Sequence, residues 1–136
     1  MKILVDANVA LDVLLERQPF FDSSVKVLGL SKGGIELFIS ASSITDIYYI
    51  IRKKLGSKIA ISLLQALLAN VEVAAVTSSE IRRALDLDWD DFEDAVQYSA
   101  GERLAVDYII TRNISDFTFA LIPILNPDEL LELLCR

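Results

Sequence analysis

This sequence predicts an α/β fold, three layers deep (α/β/α), in which a central parallel sheet of about five strands is covered by helices on both faces. Three observations carry that expectation. Short apolar runs rich in β-branched residues alternate with helical stretches along the 136-residue chain. The runs are apolar at most positions, the pattern of strands buried on both sides. A composition that is 53% hydrophobic and 24% charged, with 5 Gly and 3 Pro, suits one compact core, which at this length buries roughly 70% of the unfolded surface. One domain spanning residues 1–136 is therefore expected.

Lys2 to Val5 forms the first strand and ends at Asp6, and Asn8 is placed to cap a helix running to about Glu16. Pro19 opens a second helical stretch, Phe20 to Ser31, which Gly33 and Gly34 terminate before the strand Ile35 to Ile39. Ser42 or Ser43 starts a long helical region to about Asn70, broken near Gly56 and Ser57. Val71 to Val76 is a third strand. Thr77 or Ser78 caps a helix that carries Glu80 in its first turn and ends near Leu87, and Asp90 with Glu93 makes a D-x-x-E capping pair for another ending near Arg103. Tyr108 to Thr111 and Leu121 to Leu125 are the fourth and fifth strands, and Pro127 opens a closing helix over Asp128 to Leu134.

Absences narrow the chemistry. There is no histidine, and the single Cys135 is penultimate, so imidazole bases, Ser-His-Asp and Cys-His catalysis, His- or Cys-ligated zinc and internal disulfides are all excluded. One cysteine and no disulfide framework point to a reducing, cytoplasmic setting. The longest apolar stretch, Ile59 to Ala69, is interrupted by Ser62 and Gln65, and Asp6 falls within the first ten residues, so neither a membrane span nor a signal peptide is expected. With 13 Lys and Arg against 20 Asp and Glu the net charge is -7, and a polyanionic partner would need a local basic patch or bound cations. Arg52, Lys53, Lys54 and Lys58 form the densest basic run, and Arg112 lies in the loop after the fourth strand.

In open parallel sheets, ligands bind at the carboxyl ends of the strands. Asp6 ends the first strand. Asp46 sits near the start of the helix after strand two, in a segment apolar nearly all round (Ile44, Ile47, Tyr48, Tyr49, Ile50, Ile51), where an enclosed carboxylate needs a partner or a cation. In the cluster Asp88, Asp90, Asp91, Glu93, Asp94, most acids read as capping or solvated charge. Phe92, Ala95, Val96, Ala100 and Leu104 make the apolar stripe of that helix, and Asp91 and Asp94 fall off it, facing either solvent or a crevice. Asp116 follows strand four in a polar turn, whereas Asp107 lies at the opposite end of the sheet and is excluded. Asp6, Asp46, Asp94 and Asp116 thus come from four strand ends or helix starts. Two carboxylates about 4 Å apart repel by roughly 4 kcal/mol at an effective dielectric near 20. The natural compensation is a hard divalent cation, Mg²⁺ or Mn²⁺, held by oxygen ligands, as in metal-assisted phosphoryl chemistry.

The segments Ile3-Leu4-Val5-Asp6-Ala7-Asn8-Val9, Ser43-Ile44-Thr45-Asp46, Asp91-Phe92-Glu93-Asp94-Ala95 and Thr111-Arg112-Asn113 to Asp116-Phe117 together resemble the PIN domain family over essentially the whole chain. Many small members of that family are VapC-type toxins of toxin-antitoxin pairs. The resemblance implies a Mg²⁺- or Mn²⁺-dependent endoribonuclease with Asp6, Asp46, Asp94 and Asp116 as its acidic quartet and metal ligands. Asp91 assists or competes with Asp94, and Asn8, Thr111, Arg112 and Asn113 are accessory or substrate-side groups. The second acid is more often Glu in the family, so Asp46 has an arm one methylene shorter.

Other readings fit less well. A receiver domain needs an acidic pair after strand one and a late Lys, and a haloacid-dehalogenase-like phosphatase needs D-x-D. Here Asp6 is followed by Ala7-Asn8, and no Lys follows Lys58. The remaining alternative is a PIN-like protein that binds without turnover. Tyr48 to Ile51 and the helix Ile59 to Leu68 carry more apolar surface than one sheet face covers, which with the family resemblance implies a homodimer and a possible cognate antitoxin laid across that surface.

Overall fold

A computed structural model describes residues 1–117 and 120–135. The strands are β1 (Lys2–Val5), β2 (Glu36–Ser40), β3 (Glu72–Ala74), β4 (Tyr108–Ile110) and β5 (Ile124–Leu125). They form one parallel sheet in the order β3-β2-β1-β4-β5. The helices are α1 (Ala7–Leu14), α2 (Phe21–Leu28), α3 (Ala41–Leu55), α4 (Ser57–Leu68), α5 (Ser78–Leu87), α6 (Phe92–Leu104) and α7 (Pro127–Leu134). Alternate residues of each central strand feed two cores. Ile3, Val5, Leu37, Ile39 and Ile110 pack with α1, α2, α3, α4 and α7, while Leu4, Phe38 and Ile109 pack toward Tyr98 and Ala100 of α6. That period-2 division is what gives three layers.

The chain winds outward through β1, β2 and β3, then returns to place β4 on the other side of β1. The switch point lies between β1 and β4, where a parallel sheet opens a crevice at its carboxyl edge. Register makes that edge level: Val5 pairs with both Ile39 and Ile110, so Asp6, Ser40 and Thr111 follow in one row.

Local chemistry accounts for most element ends and corrects several expected ones. Thr77 and Glu80 form the capping box of α5, and Asn126 with Glu129 forms that of α7, with Pro127 in its first turn. Asp6 itself, not Asn8, occupies the N-cap of α1, because the helix starts directly at the strand end. Ser40 caps α3 by accepting from the Ser42 amide, two or three residues earlier than Ser42 or Ser43 would. Asp91, not Asp90, caps α6, its Oδ1 accepting from the Asp94 amide at 3.0 Å. β3 and β5 are shorter than their apolar runs because each is an edge strand with one neighbour. β3 pairs only as far as Ser40, where β2 turns into α3.

α6 departs furthest from expectation. Residues 94–101 are all buried, so the helix has no polar face along two turns. It is clasped by the sheet, α5 and α3. Gly101 permits the approach: a Cβ there would lie 3.2 Å from Val106 and 3.4 Å from Leu4.

Candidate active site

Asp6 is delivered by β1, whose Ile3, Leu4 and Val5 are wholly buried, and its amide donates to Ile110 O at 2.8 Å. Thr111, the equivalent position after β4, donates its hydroxyl to Asp6 Oδ2 at 2.7 Å. Thr111 Oγ1 in turn accepts from the Asn113 amide at 3.0 Å and from Asn8 Nδ2 at 3.4 Å. The carboxylate direction is therefore set by three residues from two elements. These are the polar groups the sequence placed beside the quartet.

The cleft above this network has a volume of about 430 Å³, and Asp6, Asn8, Asp46, Asp91, Asp94, Asn113 and Asp116 all line it. Asp94 is 8% exposed, well inside the protein despite lying off the expected stripe. Burial, followed by the charges of Asp6, Asp91 and Asp116, pushes its carboxyl up to about 7. Asp91 remains exposed at the rim with one oxygen engaged as the cap. Asp116 reaches the cleft from a short 3₁₀ turn, Ile114–Asp116, anchored by the buried Phe117. Phe117 packs edge-on to Trp89 at 6.0 Å, and Trp89 lies 4.9 Å from Tyr98 of α6. Asp107 accepts from the Lys2 amide at the far end of the sheet, outside the cleft.

Asp46 is not enclosed. α3 buries only Ser43, Ile47 and Ile51, one residue per turn, and α4 covers a second flank. Asp46 is left on the open face with Tyr49, which is 60% exposed, and Ile50, and all three line the cleft. Two further lining residues had no site role in the sequence reading. Glu93, expected only to cap, shares a hydrogen bond with Asp46. That bond, with burial and the charges of Asp46, Asp91 and Asp94, pushes its carboxyl up to about 8. Its partner comes from another helix, so no local spacing could reveal it. Gln97, one turn after Asp94, also faces in, and the i+3 spacing was the available signal.

Arg112 lines a different cavity, of about 270 Å³, with Pro19, Phe20, Ser23, Asn126, Pro127 and Asp128. Its Nε and Nη2 donate to the two oxygens of Asp12 at 2.6 and 3.2 Å, and its guanidinium stacks on Phe20 at 4.0 Å. Asp12 is 0% exposed, with Arg17 a more distant 3.9 Å away. The Arg112 fork is thus committed to a buried carboxylate that sequence reading passed over.

The cleft's ionisable lining is entirely acidic, without a Lys or Arg. Among the described residues no three acids are gathered closely enough to form a metal cage as they stand. The donor set nevertheless fits a hard divalent cation: oxygen only, several carboxylates, and two of those driven toward their neutral forms, Glu93 first by its bond with Asp46 and Asp94 first by burial, with the neighbouring charges adding to both.

Among solved structures, the chain is similar to VapBC2 from Rickettsia felis bound to a promoter DNA fragment, at 16% identity over 93% of this chain and 98% of that one, with a TM-score of 0.72. VapBC-1 from nontypeable Haemophilus influenzae gives 12% identity, 94% and 99% coverage and a TM-score of 0.73. Mycobacterium tuberculosis VapC20, described as a Sarcin-Ricin loop cleaving toxin, gives 17% identity, 79% and 86% coverage and a TM-score of 0.64. At such identities the likeness is one of fold. No curated protein matches the chain. The PIN domain family model matches residues 2–115, which takes in all four acidic segments except Asp116, and the chain belongs to the PIN domain family.

Proposed function

We propose that this chain is one PIN nuclease domain spanning residues 1–136, a Mg²⁺- or Mn²⁺-dependent endoribonuclease and the toxin of a toxin-antitoxin pair. The observation that carries the reading is the delivery of Asp6, Asp46, Asp94 and Asp116 from four separate elements into one cleft at the sheet's switch point. These four acids, with Asp91 at the rim, would hold the cation. A divalent cation bound there supplies an acidified water and offsets charge that builds on the phosphate. Thr111 keeps the Asp6 carboxylate aimed into the cleft, and Asn8 and Asn113 hold Thr111.

Substrate contacts extend from the cleft along α3. Tyr49 offers an exposed ring on which an RNA base can stack. Lys53, two turns beyond Asp46 on the same face, and its neighbours Arg52 and Lys54 are exposed and available to phosphates. A toxin-antitoxin complex from Klebsiella pneumoniae shares the fold, which supports a small antitoxin as partner here. Exposed Leu55, Ile59 and Ile61 on α3 and α4 are the surface for a homodimer, and an antitoxin laid over them would reach Tyr49 and Ile50 and obstruct the cleft.

The test is cleavage of a panel of structured and unstructured RNAs by the purified protein with Mn²⁺ and with EDTA. Cutting with Mn²⁺ that EDTA abolishes is expected. Failure to cut any RNA while Mn²⁺ still binds would favour a binding protein without turnover.

A further inference from the structure

Gln97, a residue that lines the acidic cleft, carries a buried hydrogen-bonding group without a partner among the described residues. It lies on α6 three residues after Asp94, is 1% exposed, and lines the cleft with the quartet. Its Oε1 is one of three buried side-chain polar atoms without a partner among the described residues, and unlike the other two, Ser24 Oγ and Ser43 Oγ, it belongs to a residue lining the cleft. A buried acceptor left unpaired costs free energy, so such atoms are rare unless something absent from the fold completes them.

The missing partner must be a donor. No Lys or Arg lines the cleft to supply one, and the acids that share it with Gln97, among them Asp6, Asp46, Asp91 and Asp116, set a negative field that selects a positively polarised donor. We infer that Gln97 Oε1 accepts a hydrogen bond from a water of the hydrated divalent cation, so that an uncharged amide helps seat the ion without itself coordinating it. Small hard cations keep several of their waters when bound by proteins, and those waters are strong donors. Glutamine suits the place chemically. It adds an acceptor to a site already crowded with carboxylates without adding another charge. This inference rests on the cation reading of the cleft and adds to it a residue outside the acidic quartet.

Calorimetric titration of the full chain with MgCl₂ and MnCl₂, alongside metal-free melting temperatures, tests it with wild type, Gln97→Met and Gln97→Glu. Gln97→Met, close in shape and without the acceptor, is expected to bind either cation about tenfold more weakly. Its metal-free melting temperature should be equal to or above wild type. Gln97→Glu keeps the acceptor and should bind at least as tightly as wild type, with a lower metal-free melting temperature because a further carboxylate has joined the cluster. Unchanged affinity in Gln97→Met, or equal weakening in both variants, would overturn the inference while leaving the cation site standing. A lower metal-free melting temperature for Gln97→Met, or its failure to fold, would also overturn it, because the oxygen would then have its partner within the fold. Absence of binding by wild type would remove both this inference and the cation reading beneath it.

Discussion

Asp6 is held by Thr111 on one side and by like charges on the other, which makes the consequence of neutralising it unusual for a buried residue. Asp6→Asn should leave the metal-free melting temperature equal or higher, since repulsion with Asp94 is relieved. RNA cleavage should fall at least about 100-fold, given that partners one layer beyond a metal ligand already cost about 10- to 100-fold. A destabilised but active variant would exclude Asp6 as a ligand. Arg112 behaves oppositely. Removing it leaves Asp12 wholly buried beside only a distant Arg17, so Arg112→Ala should lower stability in urea unfolding by about 2–3 kcal/mol, discounted because Arg112 is itself 25% exposed. A midpoint unchanged from wild type would show that the pair does not support the fold. Position along the chain pointed to the crevice for Asp6, at a strand end, and for Asp116, in the turn after one, whereas Thr111 entered only through the family resemblance. Position could not find Asp12 or the Glu93 partner, since those pairings join residues 100 and 47 positions apart in the sequence.

At the scale of elements, order and type were legible because each apolar run and each Gly, Pro or capping residue is a local signal. Ends were not, where tertiary pairing decides them: β5 is Ile124–Leu125 rather than 121–125, and Leu121 is left exposed. The face of α6 was open for a related reason. Periodicity assumes one wet face, and a helix buried over residues 94–101 has none there, so the pattern alone left Asp94 facing either solvent or a crevice. The same helix ends on Ala105, in the left-handed region at φ 53° and exposed. Glycine accepts that conformation without the Cβ penalty, and no buried contact is lost with the methyl. Ala105→Gly should therefore raise stability by about 0.5–1 kcal/mol in chemical denaturation. A decrease would mean that the methyl packs against a neighbour.

Across the whole molecule, the acidic cleft and the Glu80 cluster impose opposite pH dependences. Glu80, bonded by Thr77 and Arg103, is held down to about 2. It contributes stability above the usual carboxylate range that is lost as pH falls toward 2. Asp94 and Glu93 are raised to about 7 and 8, so the stability they contribute is present at low pH and is lost as pH climbs through those values. The metal-free protein should melt highest near about pH 5 and lower by pH 8. Mg²⁺, which favours the ionised acids, should flatten or reverse that decline. A metal-free melting temperature that rises steadily from pH 5 to 8 would contradict the repulsion in the cleft. No helix among the described residues is long and apolar enough to cross a membrane. With a net charge of -7, a chain acting as the proposed ribonuclease depends on a cation to offset repulsion from RNA. Anomalous diffraction from crystals soaked in Mn²⁺ examines that cation's site directly. A Mn²⁺ peak is expected in the cleft, within about 2.0–2.3 Å of carboxylate oxygens from Asp6 and at least one of Asp46, Asp94 and Asp116. An ordered, acid-lined cleft with no Mn²⁺ in it, while the ion appears elsewhere on the surface, would contradict the metal-dependent nuclease assignment.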